Sequence, residues 1–195
     1  VGKSFMASNL AIALAELGKK VIVADLDFGG SNLHTCLGIN NKHPGIGDFI
    51  RARYSNLDNL LVETGNDNLK FLAGDVRSPF LANMHHAQKM RLIYNMKQLK
   101  CEYLILDLGS GSTYNTLDFF SMTQLGMIIS TTEHTSTTNM LTFLKLLAFR
   151  VIERSLPKNT FLNEKLRESY NRTVMEGMLT VRGLLDEISK IDRNI

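Results

Sequence analysis

Short apolar runs alternate with longer stretches of helical periodicity along most of the chain, and this alternation constrains the fold more than any other feature. The runs that we predict to be strands are residues 21–24, 69–73, 103–107 and 126–130. The segments with helical spacing are residues 4–17, 80–99, 114–124 and 136–154. Strands that alternate with helices form parallel sheets joined by right-handed crossovers. We therefore predict an α/β fold with a doubly wound, mostly parallel sheet.

The first predicted strand is apolar throughout and ends in two acids. Residues 21–24 are Val-Ile-Val-Ala, and Asp25 and Asp27 come just after them. A strand that is apolar on both faces is typical of a parallel sheet covered by helices on each side. The helix predicted before this strand carries one apolar stripe, formed by Met6, Leu10, Leu14 and Leu17.

Gly2, Lys3 and Ser4 stand at the start of the first predicted helix and match the second half of the phosphate-binding pattern G-x-x-x-x-G-K-[ST]. In that pattern the lysine and backbone N–H groups bind phosphate oxygens, and the hydroxyl ligates Mg²⁺. The helix also directs its positive end at the same anion. We therefore predict a nucleotide site that includes Val1, Gly2, Lys3, Ser4 and Phe5. Because the pattern begins partway through, we expect the chain to be a fragment; the competing explanation is a surface turn before an ordinary helix.

Three acids at predicted strand ends are candidates for the chemistry of this site. Asp107 closes one apolar strand, and Asp25 and Asp27 close another. Sheets of this class bind ligands at the carboxyl ends of their strands. Mg²⁺ takes one or two carboxylates besides waters and phosphate oxygens, so Ser4 and Asp107 suffice to hold it. We expect Asp25 and Asp27 to be divided between the metal ion and the attacking water, unless these acids only cap the next helices.

Composition and charge are those of an ordinary globular protein. Of the 195 residues, 44% are hydrophobic and 21% are charged, and the net charge of +3 without a basic run does not imply nucleic acid. We predict a cytoplasmic chain that forms one domain over residues 1–195, with a helical segment over residues 155–195. Cys36 and Cys101 fit no paired pattern, so we predict two reduced, buried thiols.

Three segments together resemble the MinD/ParA family of deviant Walker A ATPases, and within it the FlhG-like branch that regulates flagellar number and placement. These segments are residues 1–4, 21–34 and 104–111. The resemblance extends to about residue 155, and the residues after it match only loosely. It implies the three-layer α/β/α fold of P-loop NTPases.

The resemblance implies a role for each matching residue in binding ATP and Mg²⁺. Lys3 is similar to the P-loop lysine, Ser4 to the Mg²⁺ ligand that follows it, and Asp107 to the Walker B aspartate. Asp27 resembles the switch I aspartate that orients the hydrolytic water, with Asp25 assisting the metal ion.

Two glycines complete the contacts that the resemblance implies. Gly29 lies in the switch segment 27–33, which faces the nucleotide. Gly111 is similar to the switch II glycine whose N–H group senses the γ-phosphate.

The resemblance further implies a slow, Mg²⁺-dependent ATPase that acts as a molecular switch. In this family ATP drives a homodimer, a protein partner stimulates hydrolysis, and the switch positions or counts a flagellum, septum or partition complex. The lysine that reaches the partner's phosphates, and the helix that brings some members to the inner face of the membrane, lie outside this sequence.

Two alternatives stay open. One is a metabolic P-loop enzyme, such as a dethiobiotin-synthetase-like ligase or a small-molecule kinase; the other is a non-catalytic nucleotide-binding interaction domain.

Overall fold

The computed structural model describes residues 2–40, 42–74, 84–123 and 125–155, together with residues 164 and 168. By their contacts, residues 1–110 and 111–195 form two compact units, which we call the first and the second unit. Most of the predicted helical segment 155–195 lies outside the described residues, so that expectation and the prediction of a single domain stay predictions. Within the described ranges, no helix is long and apolar enough to cross a membrane.

Within the described residues, the first unit is built on a four-stranded sheet. Its strands are β1 (Val21–Leu26), β2 (Leu61–Glu63), β3 (Leu69–Leu72) and β4 (Tyr103–Leu108), in the spatial order β2-β3-β1-β4. β1 pairs in parallel with both β3 and β4, whereas the short β2 runs antiparallel to β3. The predicted α/β class with a mostly parallel, doubly wound sheet is therefore confirmed. β2 was not predicted, because three residues are too few to show a strand pattern.

β1 lies inside the sheet because its side chains tolerate burial on both faces. All six of its residues are buried. Val21 and Val23 share one apolar cluster with Leu69 and Phe71 of β3. The apolar run at residues 21–24 thus predicted both the strand and its central place.

β4 forms one edge of the sheet. It pairs with β1 on one side, and no strand of the described residues lies on its other side. Tyr103 is 42% exposed, and the apolar residues 104–106 are only partly buried. β4 therefore lacks the two-sided cover that β1 has.

The first helix, α1 (Lys3–Glu16), covers the sheet with its smallest side chains. Its buried residues, spaced three and four apart, are Ser8, Ala11 and Ala15. Side chains of this size allow a helix to lie close to the strands beneath it. The members of the apolar stripe that are instead exposed are Met6, Leu10 and Leu17. The apolar spacing predicted the helix correctly but gave no guide to which face is buried.

Three further α-helices of the first unit lie in the described residues: α2 (Leu33–Cys36), α3 (Ile46–Ile50) and α4 (His86–Met96). α4 is shorter than the helix predicted over residues 80–99, of which residues 80–83 lie outside the described part. Its N-cap is His85, whose N–H group donates to the Gln88 side chain over 3.2 Å. Cys36 and Cys101 are free, as predicted, but neither is buried: Cys36 is exposed and Cys101 is only partly buried.

The second unit contains α5 (Tyr114–Phe120) and α6 (His134–Ser155). Both were predicted, with slightly different ends. Arg150 of α6 donates to both carboxylate oxygens of Asp118 of α5, over 2.8 and 3.0 Å, and this pair links the two helices. An Arg–carboxylate pair with two parallel hydrogen bonds fixes geometry as well as charge.

The strand predicted over residues 126–130 is wrong. These residues have no regular secondary structure, and Met127 is 61% exposed. An apolar run becomes a strand only where a neighbour takes up its backbone hydrogen bonds, and no strand of the described residues pairs with this one.

Candidate nucleotide-binding site

The predicted lysine, serine and acids meet in the first unit, where the amino end of α1 approaches the carboxyl ends of β1 and β4. The electrostatic and hydrogen-bonding neighbours of the Asp107 carboxyl are Ser4, Asp25, Lys3 and Asp27. The strand register explains part of this meeting, because it sets Asp25 of β1 directly opposite Asp107 of β4. Five residues that the sequence singled out are thus brought together.

Gly2 opens the site on the helix side. Its φ of +92° lies in the left-handed region, where a residue without a Cβ atom is favoured. Gly2 caps α1 without a side chain, and its carbonyl accepts the first helical hydrogen bond, from the Met6 N–H group, over 2.9 Å. The N–H groups of the first turn, at residues 3–5, have no partner within the helix. This end of α1 is therefore suited to bind an anion.

Asp107 is the most constrained acid of the site. It is 2% exposed, and its Oδ2 atom has no hydrogen-bond partner among the described residues. Burial raises the pKa of Asp107, while the Ser4 hydroxyl, which donates to the carboxyl, and the positive charge of Lys3 act in the opposite direction. An ionised oxygen that is buried and unpaired costs free energy, which a bound cation would offset.

The oxygens at this point fit a magnesium ion. Mg²⁺ prefers carboxylate and hydroxyl oxygens and keeps several waters. The free Oδ2 atom of Asp107, next to the Ser4 hydroxyl, supplies such oxygens at the amino end of α1. The residues present therefore fit the ion that the sequence predicts.

The Asp25 carboxylate, in contrast, is already engaged. Its Oδ1 atom accepts from the Asp27 N–H group over 3.0 Å. Its Oδ2 atom accepts from the Ser31 hydroxyl over 2.6 Å and from the Leu33 N–H group over 3.1 Å. Burial raises the pKa of Asp25, and these three hydrogen bonds act against that rise. Asp25 lies beside Asp107 but turns its oxygens to the segment that follows β1.

Asp27 follows the end of β1 and is only partly buried. Its Oδ1 atom accepts from the Gly29 N–H group over 3.2 Å, and its carbonyl accepts from Gly30 over 3.2 Å. A Cβ atom placed on Gly109, just beyond β4, would lie 2.9 Å from Asp27 Oδ1. The Asp27 carboxylate thus lies against the backbone that follows Asp107, and only a glycine leaves it that space.

The remaining predicted site residues have other positions. Val1 lies outside the described residues. Phe5 is 63% exposed. Gly111, with a φ of +93°, begins the second unit. Their contacts with a nucleotide stay predictions, as does that of Gly29.

Two residues of this cluster, Ser31 and Gly109, lie within the matching segments 21–34 and 104–111 but were not predicted as site residues. Gly109 carried a faint signal, because it follows the acid at the end of β4 by two positions. Ser31 carried none: a serine in a Gly-rich loop is common, and its contact with a carboxylate six residues earlier depends on how the loop turns.

Comparisons with known proteins agree with this geometry. A family model described as the CobQ/CobB/MinD/ParA nucleotide binding domain matches residues 1–189. The chain is 30% identical over 148 residues to the antiactivator FleN of Pseudomonas aeruginosa, and the match covers 75% of this chain and 52% of FleN. It is 32% identical over 112 residues to the septum site-determining protein MinD of Helicobacter pylori, and the match covers 57% of this chain and 41% of that protein. The chain thus spans about half the length of these curated relatives.

Solved structures show the same fold. MinD of Pyrococcus horikoshii in complex with Mg-ADP has a TM-score of 0.63 at 22% identity, covering 74% of this chain and 60% of that one. A chain of the MinC:MinD cell division protein complex of Aquifex aeolicus has a TM-score of 0.64 at 20% identity, and the match covers 97% of this chain and 73% of that one. With its family model matched over almost its whole length, the chain belongs to the CobQ/CobB/MinD/ParA family of nucleotide-binding domains.

Proposed function

We propose that this chain is the catalytic part of a MinD/ParA-type ATPase, which binds Mg·ATP, hydrolyses it slowly and acts as a molecular switch. The observation that carries the proposal is the Asp107 carboxylate. Its Oδ2 atom is buried without a partner among the described residues, next to Ser4 and Lys3 at the amino end of a long helix. That constellation suits a triphosphate with its metal ion better than it suits a structural role.

Each residue has a part in the proposed reaction. Lys3 and the first N–H groups of α1 would hold phosphate oxygens, and Ser4 and Asp107 would hold Mg²⁺, with Asp25 beside them. The ion, when bound, neutralises charge that develops on the phosphate oxygens. Asp27, which is partly exposed and held by its own loop, would accept a hydrogen bond from the attacking water and orient it. Phosphoryl transfer depends mainly on such positioning and charge neutralisation.

We further propose that ATP drives formation of a homodimer and that a protein partner accelerates hydrolysis. A cation supplied in trans raises the rate of related phosphoryl transfers by about 10³- to 10⁵-fold. Slow basal turnover is then expected for the isolated protein. The similarity to MinD, a septum site-determining protein, supports a role in placing a septum. The resemblance to the FlhG-like branch supports a role in placing or counting a flagellum, in the cytoplasm or at the inner face of the membrane.

The decisive experiment replaces Asp27 by alanine in the full-length protein. Turnover of ATP should fall by about a hundredfold or more, while equilibrium dialysis still detects bound Mg·ATP and the ATP-dependent dimer persists. Asp67→Asn, an exposed acid before β3, serves as the matched control and should change neither quantity. Unchanged turnover in Asp27→Ala would remove Asp27 from the mechanism.

The main alternative is a metabolic P-loop enzyme. The matching family model is consistent with it, because the model's description names CobQ and CobB beside MinD and ParA. Such an enzyme would transfer phosphate to a small acceptor, and that acceptor would stimulate turnover more than any protein partner. A third possibility is a domain that binds nucleotide without hydrolysing it. ADP formation measured with and without candidate small acceptors separates the three cases: formation without an acceptor indicates the ATPase, formation that depends on an acceptor indicates the metabolic enzyme, and none indicates the binding domain.

A further inference from the structure

The segment that follows β1 folds back onto the carboxylate of Asp25. Its donors are the Asp27 N–H group, the Ser31 hydroxyl and the Leu33 N–H group, all from residues 27–33. Asp25 itself is 0% exposed. One side chain of the strand therefore fastens both ends of the following loop.

The bond from Ser31 is the shortest of the three, at 2.6 Å, and both of its partners are buried. Hydrogen bonds to an ionised carboxylate are shorter and stronger than neutral ones. They weigh more still in a buried site, where water cannot replace a lost donor. Ser31 is thus the contact whose loss should loosen the loop most selectively.

Gly74 and Leu33 each limit how the loop around Ser31 can move. A Cβ atom on Gly74, after β3, would lie 2.7 Å from Ser31 Oγ and 2.9 Å from the Asp25 carbonyl oxygen. On the other side, Leu33 is 0% exposed and packs in the apolar cluster with Ala11 and Val23. The loop is therefore held by a polar anchor and an apolar one, two residues apart.

We propose that Ser31 is a positioning residue which, through the Asp25 carboxylate, fixes the loop of residues 27–33 and so holds the Asp27 carboxylate in place. Asp25 then serves as the anchor of this loop, and the metal ion is left to Ser4 and Asp107. The inference rests on the proposed function for its catalytic consequence, because Asp27 is the residue whose position matters. The anchor itself is a property of the folded chain without nucleotide.

The test compares Ser31→Ala, Ser31→Thr and Ser121→Ala in the full-length protein. Ser121 lies in the second unit, where its hydroxyl donates to the Leu117 carbonyl over 2.7 Å, so its replacement also removes one hydrogen bond. Without nucleotide, hydrogen exchange of the amides of residues 27–33 should be about 10- to 100-fold faster in Ser31→Ala than in the wild type. Ser121→Ala should leave that segment unchanged, and Ser31→Thr, which keeps the hydroxyl, should restore part of the protection.

A second measurement separates anchoring from metal binding. In Ser31→Ala, kcat should fall about tenfold or more through misplacement of Asp27, while the Mg²⁺ concentration for half-maximal activity stays that of the wild type. Asp107→Asn should raise that concentration. A raised Mg²⁺ requirement in Ser31→Ala, or unchanged exchange in its loop, overturns the inference. If the wild type binds no Mg·ATP, the proposed function fails, and the exchange result alone still decides whether Ser31 anchors the loop.

Discussion

At the scale of single residues, the site combines a buried charge with very little spare room. The Asp107 carboxylate is buried with one oxygen unpaired among the described residues, and Asp27 lies against the backbone of Gly109. Groups placed for a ligand are commonly unfavourable for the empty fold. The consequences for stability and for catalysis can therefore be separated by substitution.

Asp107→Asn should stabilise the protein in the absence of nucleotide. Because burial raises the pKa of Asp107 from its ordinary value of 3.8, the folded chain binds this proton more tightly than the unfolded chain does. The group therefore favours folding at acidic pH, and that contribution is lost as the pH rises through the raised pKa. At pH 7 the variant should gain about 1 kcal/mol in the free energy of unfolding, and the gain should shrink as the pH falls.

Urea unfolding at several pH values measures this effect, with Asp67→Asn as the exposed counterpart. A variant that is less stable than the wild type at pH 7 would contradict the account of the buried charge.

Gly109→Ala should impair hydrolysis while binding is kept. The added methyl group would approach Asp27 Oδ1 to 2.9 Å, so the carboxylate must move. A displacement of this size lowers the rate of a reaction that depends on precise positioning by about ten- to a hundredfold. Gly65→Ala is the control, because nothing lies within 4 Å of its Cβ position. Single-turnover hydrolysis and the dissociation constant of Mg·ATP are measured together; equal losses in both would show that the methyl group disturbs binding instead.

At the scale of elements, three helices of the first unit, α1, α2 and α3, end in one recurring way. After α1 and α2 the chain turns through a glycine with positive φ, Gly18 and Gly38. Each of these helix ends is closed by two backbone hydrogen bonds, and α3 ends with the same two. At α3 the Arg53 N–H group donates to the backbone carbonyl of Asp48, and the Ala52 N–H group donates to the backbone carbonyl of Phe49, each over 3.0 Å. This is the Schellman arrangement, in which the residue in the left-handed region is usually glycine. At α3 that place is taken by Ala52, with a φ of +57°.

Ala52→Gly should therefore stabilise the protein by about 1 kcal/mol, because a Cβ atom in the left-handed region costs about 1–2 kcal/mol and glycine gives back part of this in chain entropy. The same substitution at Ala13, an exposed residue within α1, should destabilise by about 1 kcal/mol. Thermal unfolding of both variants tests the pair. Two changes of the same sign would argue against the left-handed conformation at residue 52.

The elements also show what could be predicted from sequence. Both predicted strands that pair with β1 were found, because each apolar run lies beside a strand that takes up its backbone hydrogen bonds. Residues 126–130 have an equally apolar pattern, yet no described strand pairs with them. In α1 the small residues are buried and Met6 and Leu10 are exposed, since distance to the sheet, and not apolarity, selects the face. At the site, Asp25 and Asp107 were predictable from strand ends, whereas the bond from Ser31 arises from the path of a loop.

At the scale of the whole molecule, a ligand that binds only the folded state should couple the site to global stability. Mg·ATP at 100 times its dissociation constant should add about 2.7 kcal/mol to the free energy of unfolding of the full-length protein. In Asp107→Asn this increment should largely disappear, although the empty variant starts from a higher stability. Thermal unfolding with ATP, with Mg²⁺ and with both provides the comparison. Full stabilisation by ATP without Mg²⁺ would contradict a metal site at Asp107.

The one-sided cover of β4 has a practical consequence for anyone who concentrates this chain. Among the described residues β4 is the outermost strand, and it is rich in leucine and isoleucine and has no proline or lysine. A strand of this kind is a template to which extended segments of other molecules can add. Self-association through the outer edge of β4 would lower the concentration of monomer without any involvement of ATP. Light scattering in a dilution series without nucleotide is therefore needed before an ATP-dependent dimer is measured. It distinguishes self-association through the edge of β4 from the dimer that ATP is proposed to drive.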